Sequence, residues 1–365
     1  MGMEILHWLG MALKWMGGIV GAIVFVGVLV IVAARIVTYC RNHITTKNGI
    51  DEAVFVPLCG QEQYLLISGK NKDNPVIIWL HGGPSGAESY ANYAFGKHLV
   101  DEYTLVSWDQ RGCGRTYWRN HKADPNNDTA TFQQAQQDLD ALVDYVCDRF
   151  GKDQVILMGH SYGTMLGSKY ALTHPEKVAA YIGVGQVLNL DSDVYSYQDA
   201  LQRAKAKGDD TTAMEAAYQT YLEDGSLMNM LALRSKTIPY HQPEIKTNTI
   251  WLGLASPYMG INDVRWFMKQ LRNLEEYLAL NRQLYSYVLE ADVRDYGMEY
   301  DVPVGFITGS CDWTTPVKFA QDYCDKISAP QKQIHLLAGC GHAPHYDLPE
   351  EFATTVKTML EEYLR

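Results

Sequence analysis

The sequence predicts an α/β fold: a mostly parallel sheet with helices on both faces, a helical cap insertion, and an N-terminal transmembrane helix. Three observations carry this expectation. Compact apolar runs alternate with segments of helical period from Val76 onward, as strands buried on both faces do. Strand signals vanish between about Leu188 and Tyr300. Near the N-terminus, Trp15 to Ala34 is a stretch of twenty residues without a charge, which at 1.5 Å per residue spans about 30 Å, the thickness of a hydrocarbon core.

That stretch reads as an uncleaved anchor. Val32-Ala33-Ala34 would pass as a signal-peptide cleavage site, but the run exceeds the roughly 7–15 apolar residues such peptides carry. Lys14 precedes it, whereas Arg35, Arg41 and Lys47 follow it, so the positive-inside rule places the larger C-terminal portion in the cytoplasm. The seven cysteines are scattered, odd in number and without a Cys-x-x-Cys pair. They read as free thiols, in keeping with a reducing compartment. The expected organisation is a flank (1–14), the transmembrane helix (15–34), a juxtamembrane linker (35–50), a core in two parts (51–187 and 301–365) and the cap (188–300).

Within the core, Glu52–Leu58 and Gln61–Ser68 form an expected hairpin around Cys59-Gly60. The expected parallel strands are Val76–Leu80, Thr104–Trp108, Val155–Met158, Ala179–Val184, Val304–Thr308 and Gln333–Leu337. A helix over Phe132–Phe150 carries Phe132, Ala135, Leu139, Leu142, Val143, Val146 and Phe150 on one stripe, with Thr131 and Gln134 as a capping box and Gly151 as its stop. The last helix opens at Pro349, with Phe352, Val356, Met359, Leu360 and Tyr363 on its buried side. The cap is rich in tyrosine, methionine and tryptophan, and most of these pack its own interior.

Composition limits the function. With 47% apolar and 20% charged residues, the 365-residue chain is no disordered segment. A net charge of -11, from 31 basic against 42 acidic residues, argues against nucleic acid as a partner.

The chemistry sits in four loops. Gly159-His160-Ser161-Tyr162-Gly163 follows one strand and opens a helix, the setting of a nucleophile elbow in which only small flanking residues fit. A serine hydroxyl needs a base, and the base needs an acid to hold its tautomer. In chain order these are Asp312, just past Val304–Thr308, and His342, just past Gln333–Leu337. Asp301 precedes its strand and lies at the wrong edge; His335 and His345 lie outside the loop that directly follows theirs. The N–H groups of Tyr162 and Gly83, the latter in His81-Gly82-Gly83-Pro84, are the expected oxyanion donors. Cys113, Cys311 and Cys340 lie in these same loops. No cofactor or metal is called for.

Together with Trp108-Asp109-Gln110-Arg111-Gly112-Cys113-Gly114, these motifs resemble the α/β-hydrolase enzymes of the prolyl aminopeptidase (proline iminopeptidase) group over roughly residues 74–184 and 302–352. The resemblance implies the α/β-hydrolase fold, with His81, Gly82, Pro84, Asp109 and Arg111 supporting the active-site loops and Asp109 and Arg111 forming a structural pair. The sequence departs from the group at Ser85, where glycine is usual, and at Thr116, where serine is common. No tryptophan is followed by glutamate, so the glutamates that hold a substrate's free amine in that group find no match among Glu215, Glu223, Asp224 and Glu244. The expected function is a membrane-anchored aminopeptidase or amidase acting on small peptides through an acyl-enzyme. The alternatives are a carboxylesterase or lipase-like hydrolase and, against the complete triad, a non-catalytic binding protein. The expected partners are the substrate and, through residues 15–34, a lipid bilayer; the oligomeric state stays open.

Overall fold

The computed structural model describes residues 2–365, with side chains from residue 7 onward except at 10 and 12. The chain opens with a helix of 41 residues, α1 (Gly2–Asn42). An eight-stranded sheet follows: β1 (Ile50–Leu58), β2 (Gln61–Gly69), β3 (Val76–Leu80), β4 (Thr104–Asp109), β5 (Val155–His160), β6 (Val178–Val184), β7 (Val304–Gly309) and β8 (Lys332–Leu337), in the order β1-β2-β4-β3-β5-β6-β7-β8. The first hairpin turns at Cys59 and Gly60, both with positive φ (44° and 82°), as a two-residue turn matched to strand twist requires. β2 runs antiparallel to β4, and every later pairing is parallel.

Helices cover both faces, as expected. The core helices are α2 (Tyr93–Gly96), α3 (Gly114–Asn120), α4 (Phe132–Phe150), α5 (Tyr162–Thr173), α13 (Val317–Lys326), α14 (Pro344–Asp347) and α15 (Pro349–Tyr363). Because side chains alternate along a strand, Val76, Ile78 and Leu80 of β3 pack with Leu139, Leu142 and Val146 of α4. Ile77 and Trp79 pack instead with Phe95 of α2 and Phe352, Val356 and Leu360 of α15. Thr131 caps α4 by accepting the N–H of Gln134, and Gly151 ends it with φ 61°. Only this arm of the expected capping box forms, since the Gln134 side chain donates to Asp138.

The cap lies between β6 and β7 and holds α6 (Asp191–Lys207), α7 (Thr212–Glu223), α8 (Leu227–Thr237), α9 (Thr249–Ala255), α10 (Ile261–Arg272), α11 (Leu274–Leu280) and α12 (Arg282–Glu290). Tyr197, Tyr221 and Met230 form a small core of its own, with Tyr218 stacked 3.7 Å from Tyr197. Trp266, Tyr277 and Leu278 pack down onto Cys113 and Tyr117 of the core.

One expectation is corrected. The linker placed at residues 35–50 is helical as far as Asn42, so only residues 43–49 separate α1 from β1. The helix persists because its last turns dock. Ile31, Ala34, Arg35, Thr38 and Asn42 are half-buried while their neighbours stay exposed, a helical spacing that marks one face. Arg35 donates to the carbonyls of Leu254 (3.1 Å) and Met259 (2.8 Å) at the α9–α10 turn. From the core side, Arg115 holds Asp263 of α10 at 2.6 Å and donates to the carbonyl of Tyr258. Among the described residues, α1 is the one helix long and apolar enough to cross a membrane.

Candidate active site

Ser161 stands between β5 and α5 at φ 52°, ψ -121°, a conformation a side chain rarely adopts and which the turn must enforce. The turn is enforced by backbone crowding. A Cβ on Gly159 would lie 2.4 Å from the carbonyl oxygen of Gly163, and one on Gly163 would lie 2.1 Å from that of Leu80. The Ser161 N–H donates to Val184 at 3.0 Å, fixing the elbow to β6.

His342 follows β8 and Asp312 follows β7, so both reach the sheet edge at which Ser161 sits. Nδ1 of His342 lies 2.8 Å from Oδ2 of Asp312. That carboxylate also accepts the N–H groups of Thr314 and Thr315, each at 2.9 Å, and the Thr315 hydroxyl at 2.7 Å. Burial would raise the Asp312 pKa, yet His342 and the Thr315 donors outweigh it and hold the carboxyl below its ordinary value. Asp312 is therefore an acceptor, Nδ1 of His342 carries its proton, and Nε2 keeps the lone pair. Asp301 is exposed at the opposite end of β7.

The loop after β3 lies against the elbow, where a Cβ on Gly82 would stand 2.9 Å from that of Ser161. Tyr162 is the first residue of α5, so its N–H has no acceptor one turn back. His81 is buried, which lowers its pKa to about 4 and keeps it neutral. It donates to the Gly82 carbonyl (2.9 Å) and accepts the Gln110 N–H (3.2 Å). Ser85 shows why glycine is usual there, since its φ is 67°. Its hydroxyl meets the Tyr277 hydroxyl at 2.9 Å and its carbonyl accepts Trp266 Nε1 at 3.0 Å, so the cap secures this loop. Thr116 accepts the Tyr64 N–H (2.9 Å) and donates to the Asp109 carbonyl (2.5 Å).

The expected pairing of Arg111 with Asp109 does not form. Arg111 instead makes a bidentate pair with Asp138 of α4, at 2.6 and 2.8 Å, because its side chain turns toward the helix and Asp109 turns toward α3. There Asp109 accepts the Arg115 N–H at 3.0 Å.

Reading the sequence missed three residues beneath the elbow. His160 Nε2 donates to the His342 carbonyl at 2.8 Å, and Glu88 accepts Trp79 Nε1 at 2.9 Å. With His345 they place three ligand-type atoms within 4.8 Å of one another. Both imidazoles have pKa values lowered by burial, and His345 packs among Trp79, Phe95 and Phe352. The setting is that of a packed core.

Two clefts open beside the site. One, of about 130 Å³, adjoins His342, Cys311 and Trp313. The other, of about 180 Å³, runs from Gly83 and Pro84 past Met230, Leu231, Tyr277 and Leu289. Half-buried Arg234 borders both and binds Asp193 at 2.6 and 3.0 Å. None of Glu215, Glu223, Asp224 and Glu244 lines either cleft.

The chain belongs to the family of the alpha/beta hydrolase fold, whose pattern matches residues 75–349. It is an enzyme of the serine hydrolase class. It is 24% identical over 309 residues to a probable aminopeptidase, YbaC, of Bacillus subtilis, covering 83% of this chain and 94% of that protein. Among solved structures, proline iminopeptidase of Mycobacterium smegmatis superposes with a TM-score of 0.59 at 22% identity, over 86% of this chain and 98% of that one. A membrane phospholipase A gives a TM-score of 0.54 at 18% identity over 98% of each chain.

Proposed function

We propose that this chain is a membrane-anchored hydrolase in which Ser161 is the nucleophile, His342 the general base and Asp312 the residue that orients it. The Asp312–His342 contact of 2.8 Å carries the reading. Nε2 of His342 takes the Ser161 proton as Oγ attacks the substrate carbonyl, and the N–H groups of Gly83 and Tyr162 receive the oxyanion. The same imidazolium then protonates the leaving group, and water releases the acyl-enzyme by the reverse course.

Small peptides or amides are the substrate class that the aminopeptidase-named relatives support. One observation favours a second class, esters. Among the described residues, Asp193 is the single carboxylate lining either cleft, and Arg234 engages both its oxygens, which leaves none of these lining acids free for a substrate amine. The remaining walls of the larger cleft are mainly apolar and suit an uncharged acyl group. Arg35, Arg41 and Lys47, which follow the apolar run, support a cytoplasmic side for the catalytic portion.

A fluorophosphonate probe tests the nucleophile: it should label the parent and not Ser161→Ala, and equal labelling of both removes the assignment. Proline arylamide and a series of p-nitrophenyl esters, assayed side by side, decide the substrate class.

A further inference from the structure

We propose that the exposed apolar face of α9 and α10 rests in the headgroup layer of a phospholipid bilayer, so that the wall of the larger cleft borders the lipid. The proposal rests on α1 being a membrane anchor.

The depth follows from the docking of α1. Its uncharged run ends at residue 34, and the next residue, Arg35, grips the carbonyls of Leu254 and Met259. The α9–α10 turn is thereby held level with the end of the hydrocarbon-spanning stretch. Ile250 and Trp251 lie one turn before Leu254, and Ile261 lies two residues after Met259. Ile250 is 63% exposed and Ile261 73% exposed, an arrangement that water does not favour.

α10 continues the pattern. Ile261, Val264, Phe267 and Leu271 are exposed at spacings of three, three and four, one face of a helix, while Asp263 and Trp266 on the other face are buried against the core. Arg265 and Arg272 border the apolar face, both exposed. An apolar stripe edged by arginines is the pattern of a helix lying in a membrane interface, and Trp251 is the residue type that settles at such a boundary. Beyond Arg35, the side chains of Ile36, Val37 and Tyr39 on α1 are exposed as well. The same cap segment reaches the cleft, because Gln270 and Leu274 line it beside Tyr277. An apolar substrate dissolved in the bilayer would meet the cleft without first crossing water.

The test uses the full chain with the exposed thiols Cys40 and Cys59 replaced by serine. A Leu271→Cys variant carrying an NBD fluorophore is reconstituted in phosphatidylcholine–phosphatidylglycerol vesicles, with Gln321→Cys on α13, at the opposite edge of the sheet, as reference. Lipids with a shallow nitroxide should quench the label at 271 and leave that at 321 unaffected. Carbonate-resistant association with the vesicles reads the anchor separately. An anchored protein whose 271 label ignores the nitroxide overturns the proposal and leaves the anchor standing, whereas a protein washed off by carbonate overturns the anchor itself. Emission at 271 that shifts with protein concentration in detergent, without nitroxide quenching in vesicles, assigns the face to a second copy of the chain. In the same vesicles, Ile261→Asp with Leu271→Asp should lose about tenfold in rate on a long-chain ester, since two exposed apolar side chains no longer partition, and should keep the parental rate on a short water-soluble ester. Equal rates on both esters also overturn the proposal.

Discussion

Asp312 accepts Nδ1 of His342 at 2.8 Å across two loops that follow neighbouring strands. Because Thr314 and Thr315 occupy its remaining lone pairs, the carboxylate is held in place independently of the histidine. Asp312→Asn should keep this geometry and reverse the tautomer of His342, lowering kcat by about 10⁴. Near-parental turnover in Asp312→Asn, with loss of activity in folded Asp301→Asn, would show that the acid has been misplaced.

Ser161→Ala should lower turnover by on the order of 10⁶, since a triad fails as a unit. Its stability should not fall, because alanine at φ 52° removes only a hydroxyl from a backbone that Gly159 and Gly163 already constrain. Steady-state kinetics and thermal unfolding of the same preparation separate the two effects.

Asp109 gives a pH dependence of stability. Burial, and then the neighbouring Asp263, push its carboxyl up to about 6. The folded chain therefore keeps a proton that the unfolded chain releases above about pH 4, so this contribution is complete below that pH and is lost as pH rises through about 6. Asp109→Asn should thus gain stability relative to the parent between about pH 4 and about pH 7. Denaturant unfolding at both ends of that window is the measurement, and a parent–variant difference that does not change with pH is the contrary result.

The Arg111–Asp138 pair is buried on both sides, with side chains 4% and 0% exposed. Removing one partner strands the other charge, so Asp138→Ala should cost about 3–5 kcal/mol. A loss below about 1 kcal/mol would mean that the pair behaves like a surface contact.

Removing residues 1–45 takes away Arg35 and also His43, which meets Asp51 at 2.6 Å, so the freed core should unfold about 5 °C or more below a form that begins at residue 29. Equal unfolding temperatures would show that the docking of α1 contributes nothing.

The strands and the elbow were legible in the sequence because each is specified locally. Val76–Leu80 is apolar at every position, and Gly159 and Gly163 flank Ser161. Chain order then pointed to Asp312 and His342. What stayed hidden depends on residues far apart in the chain. Asp138 sits 27 positions from Arg111, at the edge of the apolar stripe of α4 beside Ala135 and Leu142, and a lone acid there does not say which cation it meets. Arg35 binds main-chain carbonyls more than 200 residues away, and a carbonyl leaves no mark on the sequence. His160 and His345 carried no signal either, since an imidazole packed in a core and one in a mechanism have the same letter.

The continuity of α1 has a mechanical consequence. A helix that meets a bilayer thinner or thicker than its apolar stretch answers by tilting, and a flexible tether would absorb that tilt. Here the helix does not break before Asn42, and Arg35 and Arg115 hold the α9–α10 turn from two sides. With α1 anchored as proposed, any tilt of the helix would be passed on to the cap and would raise or lower the rim of the cleft against the lipid surface, making the thickness of the bilayer a quantity to which the hydrolase would respond.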